Sequence, residues 1–428
     1  MNNKISIFWF RRDLRLEDNI GLYNALKGDY PVLPIFIFDD DIISELPEND
    51  ARISFIYQSL NLLNETLGRK NTSLLVLKGT TSAVWGQLIE DYDIDTVYNN
   101  RDYEPYAKTR DKEIEVLLLK ENVRFKSYKD QVIFEGHEVL KDDNSPYTVY
   151  TPYKNKWRSK FTLESLSSCF SENETNYFIQ KSVFPSLEEF GFSASDILVN
   201  DFKLEDLDNY QEERNIPYND ATSYLGPHLR FGTVSIRSIA LKLHKNETFL
   251  NELVWREFFM QILYNFPKVV AANFKAKYDN ITWRNNSEDF ERWCEGNTGY
   301  PIVDAGMRQL NTTGYMHNRV RMITAGFLCK HLLIDWKWGE AYFAKKLLDY
   351  ELASNNGNWQ WSAGTGCDAA PYFRIFNPTE QVKKFDKELK YIKKWVPEFQ
   401  SLTYPAPMVD HKFARERALS TYKIGLEA

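Results

Sequence analysis

The sequence predicts two architectures in one chain: an α/β N-terminal domain on a Rossmann-like parallel sheet, then an all-α C-terminal domain. Three observations carry this. Apolar runs of strand length recur between helical patterns over the first 130 residues. From about residue 206 the apolar spacing is helical, with few strand signals. The chain has 428 residues, more than a single hydrophobic core usually holds.

The strands and helices follow in order. Ile5–Phe10 is a compact apolar run; 32–38, 73–77 and 96–98 are three more. Between them, 52–67, 82–92 and 106–120 read as helices. Apolar strands alternating with helices imply a parallel sheet covered on both faces. Ligands of such sheets sit beyond the strand C-terminal ends. Neither GxGxxG nor GKS/T occurs, so the glycine-rich phosphate fingerprints are absent. Residues 131–205 are less regular, include the polar stretches 142–146 and 167–176, and read as an interdomain connector. The expected division is 1–130, 131–205 and 206–428. Residues 285–287 and 355–358 read as turns within the helical part.

Composition narrows the function. No run of about 18 apolar residues occurs, so no membrane span is expected, and residues 1–10 are too short for a signal peptide. Four widely spaced cysteines read as reduced cytoplasmic thiols, and six histidines lack metal-ligand spacing, so no metal is expected. The net charge of −7 hides an asymmetry. Residues 1–213 carry 24 basic and 38 acidic side chains, whereas 214–428 carry 29 and 22. A polyanion would prefer the second half; drift between two ordinary domains is the alternative.

Three segments mix groups that a plain core would not. In 251–259, Glu252, Trp255, Arg256 and Phe259 fall on one helix face. An acid, an indole and a guanidinium together suit a polar heterocycle, stacked on the ring and hydrogen-bonded at its edge. An internal Glu252–Arg256 ion pair beside a core tryptophan is the other reading. In 314–322, Asn318, Arg321 and Met322 share a face, and Arg319 points elsewhere, toward a phosphate or simply to solvent. In 349–361, acids, amides and a glycine bracket Trp359 and Trp361. So many amides are costly unless solvated or paired with a ligand.

These segments, with Trp9-Phe10-Arg11-Arg12-Asp13-Leu14-Arg15-Leu16-Glu17-Asp18-Asn19, resemble the photolyase/cryptochrome family, in particular its bacterial class I cyclobutane pyrimidine dimer photolyases. The likeness runs over nearly the whole chain, through 222–232, 251–259, 299–322 and 349–378. It implies an N-terminal antenna domain and a C-terminal helical domain holding FAD, active when reduced. The implied FAD contacts begin with Tyr210 and the run Thr222, Ser223, Tyr224, Leu225 and Gly226. Gly226 departs from a usual serine, leaving only its backbone N–H for phosphate. Phe249 stands where tryptophan is common, and Trp255, Arg256 and Arg321 match. So do Asp349 and Tyr350, while Glu351 replaces an aspartate. Asn355 is the residue implied beside flavin N5. Trp359, Trp336 and Trp283 match the family's electron relay; three core tryptophans are the alternative.

The resemblance also implies the substrate. Asn318 and Met322 stand where (6-4) photolyases carry histidine, and Glu252 matches the dimer-repairing enzymes. Trp255 and Trp361 match the indoles that flank a flipped dimer, in a site that Arg256 and Phe259 share. Gln381 matches a further DNA contact, and Arg214, Arg319 and Arg374 match arginines that meet phosphate. The implied activity is blue-light repair of cyclobutane pyrimidine dimers, with Glu252, Asn355 and the three relay tryptophans carrying the chemistry. The partner is UV-damaged DNA, and the protein is a cytoplasmic monomer, at the nucleoid when bound. A cryptochrome-type photoreceptor, a (6-4) photolyase and a flavoprotein without a DNA role are the alternatives. The antenna chromophore is a folate, a deazaflavin or a flavin; Tyr106-Ala107 stands where folate binders show Asn-Glu.

Overall fold

The computed structural model describes residues 4–166, 169–205, 207 and 209–427, without the Ser165 side chain. The first residues of the expected stretch 167–176, and the expected boundary at 206, lie outside them. The chain forms two compact units that interleave along the sequence. One takes the residues up to 138 with 157–200 and 225–245; the other takes 139–156, 201–224 and 246–428. The sequence reading instead drew contiguous divisions at 130 and 205.

In the first unit, β1 (Ile5–Phe10), β2 (Val32–Asp39), β3 (Leu75–Gly79), β4 (Ile94–Asn100) and β5 (Arg124–Tyr128) form a parallel sheet, ordered β3-β2-β1-β4-β5. Alternate side chains feed two cores. Phe8 and Phe10 of β1 and Phe36 and Phe38 of β2 pack on one face. Ile5, Ile7 and Trp9 of β1 and Leu33, Ile35 and Ile37 of β2 pack on the other. Both faces are therefore dry, which is why these strands read as unbroken apolar runs.

Two strand readings are corrected. The edge strand β5 went unread because Arg124, Lys126 and Ser127 interrupt its apolar pattern, and an edge strand needs only one buried flank. The third strand lies two residues later than 73–77, because Thr72 and Ser73 turn their hydroxyls to the carbonyls of Phe178 and Gln180. Much of the expected connector is thus part of this unit: the Phe178 amide also donates to the Val32 carbonyl at 2.8 Å, and Ser171 accepts from the Asn19 amide.

The N-terminal motif is consumed in a buried charge network. Arg15 donates to Asp130 at 2.7 Å, and Arg237 pairs with both Asp130 and Asp18. Asn100 donates to Asp13 and Asn19. Arg15, Arg237, Asp18 and Asp130 each have an opposite partner, without which their desolvation would go uncompensated. Segment 225–245 is tied to the sheet by these bonds.

The second unit is helical. Glu247–Asn265, Pro301–Thr313, Asn318–Gly326, Trp336–Lys346 and Leu352–Ala363 are its principal helices. Two readings are corrected here as well. Residues 355–358 are not a turn but lie inside Leu352–Ala363, because their amides are spent internally. Asn356 Nδ2 donates to the Val269 carbonyl at 2.9 Å, and Gln360 Nε2 to the same carbonyl at 3.0 Å. The helix read from Gly314 begins instead at Asn318, since Gly314, at φ +66°, caps the helix before it. Among the described residues, no helix is long and apolar enough to cross a membrane, and the four cysteines are free.

Gly232 shows how tight the first unit is. Its φ is +65°, and a Cβ there would meet the Arg12 carbonyl oxygen at 2.1 Å. Gly232→Ala is expected to destabilise this unit by roughly 2 kcal/mol or more, read as an earlier midpoint in urea unfolding.

Candidate active site

Three arginines of the second unit each hold one carboxylate. Arg214 donates to Glu252. Arg256 lies 3.8 Å from Glu351. Arg321 donates to Asp349 at 2.9 Å and, through Nε, to the Met316 carbonyl at 2.7 Å. The internal Glu252–Arg256 pair is therefore not formed: both residues share a helix face, but each finds its partner elsewhere. Burial pushes the Glu252 carboxyl above its ordinary value, with Arg214 opposing only in part. Tyr210 belongs to the same corner, under the Arg214 guanidinium at 5.5 Å and 5.1 Å from the ring of buried Phe249.

Next to Glu252 stands an aromatic wall. Trp255 stacks on Tyr150 at 3.5 Å with the planes 6° apart, and on Phe259 at 5.6 Å. Tyr150 is fixed in turn, its hydroxyl donating to the Asn251 carbonyl and its amide to Asp368. Nothing in the sequence marked Tyr150, which lay in the expected connector; only folding brings it to Trp255. Phe259 packs where a Gly357 Cβ would be 2.1 Å from its ring, so Gly357 admits it. Trp361, one turn beyond Gly357, shares that helix face, is half-buried and stacks on no ring among the described residues.

The segment 349–355 offers unused acceptors. Asp349 Oδ1 is buried and accepts no hydrogen bond. Asn355 is buried and spends both amide hydrogens on Glu340, at its carbonyl (3.1 Å) and its carboxylate (2.8 Å). Both partners are acceptors, so the amide orientation is forced and Oδ1 is left to accept. Glu340 is the second residue that the sequence reading missed. Tyr350 is half-buried between the two paired acids. An orphaned buried acceptor beside an arginine, with an aimed amide oxygen, fits the N–H and O–H edges of a flavin dinucleotide.

The phosphate run is divided. Thr222, Ser223 and Tyr224 belong to this unit; the Thr222 hydroxyl lies 3.5 Å from that of Tyr315, and Tyr224 rests on the Tyr315 ring at a left-handed φ of +54°. The Lys203 amide donates to the Ser223 carbonyl. Leu225 and Gly226 open the helix Leu225–Phe231 of the first unit.

A basic patch follows. Arg319 donates to Asn215 at 2.6 Å and lies 4.5 Å over the Phe385 ring. Burial, Arg214 and Arg374 all lower its pKa, so these three arginines share one field. Arg319 also reaches Met322 Sδ at 3.5 Å, on the helix whose exposed first residue is Asn318. Gln381 lies on the helix Pro378–Phe385, and Arg374 is exposed. Trp359 and Trp336 are buried in one cluster, and partly buried Trp283 packs against it. Trp336 Nε1 donates to Asn273 at 2.8 Å.

His317 caps the helix Asn318–Gly326, its Nδ1 accepting from the Arg319 amide at 3.1 Å. Burial and then Arg321, Arg319 and Arg214 press its pKa from 6.5 down to about 4. The unfolded chain therefore takes up this proton first. The contribution is intact above pH 6.5 and is lost as pH falls through about 4. His317→Asn keeps a capping acceptor and removes the titration; stability measured across that window is expected to fall less steeply than in the wild type.

Comparison with known proteins places the chain in a family. The family described as DNA photolyase matches residues 6–171, and the FAD binding domain of DNA photolyase matches 249–403. The chain is 36% identical to the deoxyribodipyrimidine photo-lyase of Agrobacterium fabrum, over 97% of each. A bacterial class III photolyase from Agrobacterium tumefaciens superposes at a TM-score of 0.89 with 34% identity, covering 100% of this chain and 99% of that one. A cryptochrome of Synechocystis sp. PCC6803 does so at 0.86 with 25% identity, covering 98% and 99%. With identity of this order sustained over almost the full length of both proteins, the chain belongs to the DNA photolyase family, and residues 249–403 are its FAD-binding domain.

Proposed function

We propose that this chain splits cyclobutane pyrimidine dimers in UV-damaged DNA under blue light. One observation carries the reading: a single helix face presents a half-buried carboxyl with a raised pKa beside an indole backed by a fixed ring. A hydrogen-bond donor next to a stacking plane is what an extrahelical pyrimidine pair requires.

Reduced FAD, when bound, supplies the electron on excitation. Arg256, Arg321, Asp349 and Glu351 would hold it, with Tyr210, Phe249 and 222–224 as further contacts, and Asn355 would accept from its ring N–H. Glu252, in its protonated form, donates to a pyrimidine carbonyl as negative charge develops there; burial favours that form and Arg214 opposes it in part. Arg214 fixes that carboxyl and adds positive potential. Trp255 and Trp361 stack on the extruded bases, while Arg319, Arg374 and Gln381 meet the backbone that carries them. Trp359, Trp336 and Trp283 pass an electron inward from the surface.

Asn318 and Met322 give this site no imidazole at the two positions a (6-4) lesion would need. The likeness to a cryptochrome keeps a photoreceptor as the second reading. Blue-light illumination of the reduced protein with a thymine-dimer oligonucleotide separates the two. Loss of the dimer is expected; its persistence with FAD bound and reduced overturns the proposal. An absorption spectrum of the purified protein identifies any folate, deazaflavin or flavin antenna.

Two substitutions test named roles. Glu252→Ala is expected to cut the repair quantum yield by about half or more with FAD content unchanged, and Glu252→Gln, still a donor, to lose less. Trp359→Phe is expected to abolish photoreduction of oxidised FAD by an external donor, whereas chemical reduction restores repair.

A further inference from the structure

A cleft of about 270 Å³ opens beside the basic patch. Its lining carries Lys384, Lys387 and Lys390, with Tyr218 and Phe385 as its rings. All three lysines and Tyr218 are exposed. Lys390 lies 5.5 Å over the Tyr218 ring and Lys384 lies 5.2 Å from that of Phe385, so cations and rings alternate around the opening.

The acids of the lining do not neutralise it. Asp386 is buried and accepts from the amides of Tyr391 and Ile392, each at 3.0 Å, which turns its charge inward. Glu388 pairs with Lys390 at 2.6 Å. Lys384 and Lys387 form no ion pair among the described residues. The cleft is also continuous with the arginines. Phe385 lies under the Arg319 guanidinium, and Asn215, which Arg319 holds, adjoins the lining residue Ile216. Gln381, one turn before Lys384 and Phe385, is on the same face of its helix.

We infer that this cleft is a second backbone-binding site, in which Lys384 and Lys387 each take a DNA phosphate beyond the lesion and Tyr218 rests on the adjoining sugar. The inference rests on the DNA-repair reading above and extends its footprint past Arg319. Compact ammonium groups on flexible stems, facing one way without carboxylate partners, suit a phosphodiester chain. Lys390 is a reserve, held off by Glu388.

Fluorescence anisotropy of a labelled duplex carrying one thymine dimer, titrated with the full-length protein over a salt series, tests this. Lysine contacts release counterions, so the log–log salt slope counts the phosphates met. For K384Q/K387Q the slope is expected to fall by about 2 and the Kd to rise severalfold. E388Q, which frees Lys390, is expected to bind more tightly than the wild type. These side chains are exposed, and equal flavin content confirms that each variant is folded. A slope and Kd for K384Q/K387Q equal to those of the wild type overturn the site. Single-stranded oligonucleotide distinguishes the source: a lost slope there assigns the phosphates to the lesion strand, and a loss confined to the duplex assigns them to its complement. If the wild type does not prefer the damaged duplex, the repair reading fails, and the slope on undamaged DNA still decides whether the cleft holds phosphate.

Discussion

The candidate site depends on one electrostatic constraint: the three carboxyl groups Glu252, Glu351 and Asp349 lose hydration on folding and need a compensating cation. Arg214, Arg256 and Arg321 meet this need for Glu252, Glu351 and Asp349. Removing one partner of a buried pair leaves a charge whose desolvation nothing offsets, at a cost of several kcal/mol. The pairs therefore fix the backbone at 349–351, and with it the start of the helix that carries Asn355, Trp359 and Trp361. The same pairs leave one oxygen of Asp349 unused. A framework built to hold charge thus also presents an acceptor.

Amides are handled by the same rule on the next helix. Asn355, Asn356 and Gln360 are buried, and each donates to an acceptor outside its own turn: Glu340 for the first, the Val269 carbonyl for the other two. This satisfaction turns a stretch with turn-like composition into helix and orients the amide oxygen of Asn355. Two glycines set the depth of packing. Gly357 admits Phe259, and Gly339 admits Trp359, whose ring lies 2.1 Å from where a Cβ would stand. The close approach that these glycines permit ties the stacking wall of Trp255 to the tryptophan cluster.

In the first unit, the residues that most resembled a signature serve structure. Arg15, Asp18 and Asn19 lie in the network that holds 225–245 to the sheet, far from solvent. They need partners from 100–130 and 237, distant in sequence, and only the folded chain supplies them. A motif can thus identify a family without containing any of the chemistry, which sits in side chains that each look ordinary alone.

The amino-acid order alone determined the elements and the groups on each helix face. Two-residue alternation in β1 and β2, and the spacing of Glu252, Trp255, Arg256 and Phe259, are local properties that survive any packing. Tertiary structure decided which groups meet. Glu252 had Arg256 one turn away and pairs instead with Arg214, 38 residues back in the chain. Trp255 is backed by Tyr150, and Asn355 is aimed by Glu340, neither of which carried any mark in the sequence. Helical periodicity says which way a side chain points; what lies there depends on how helices pack, and packing is set by shape and charge summed over the whole unit.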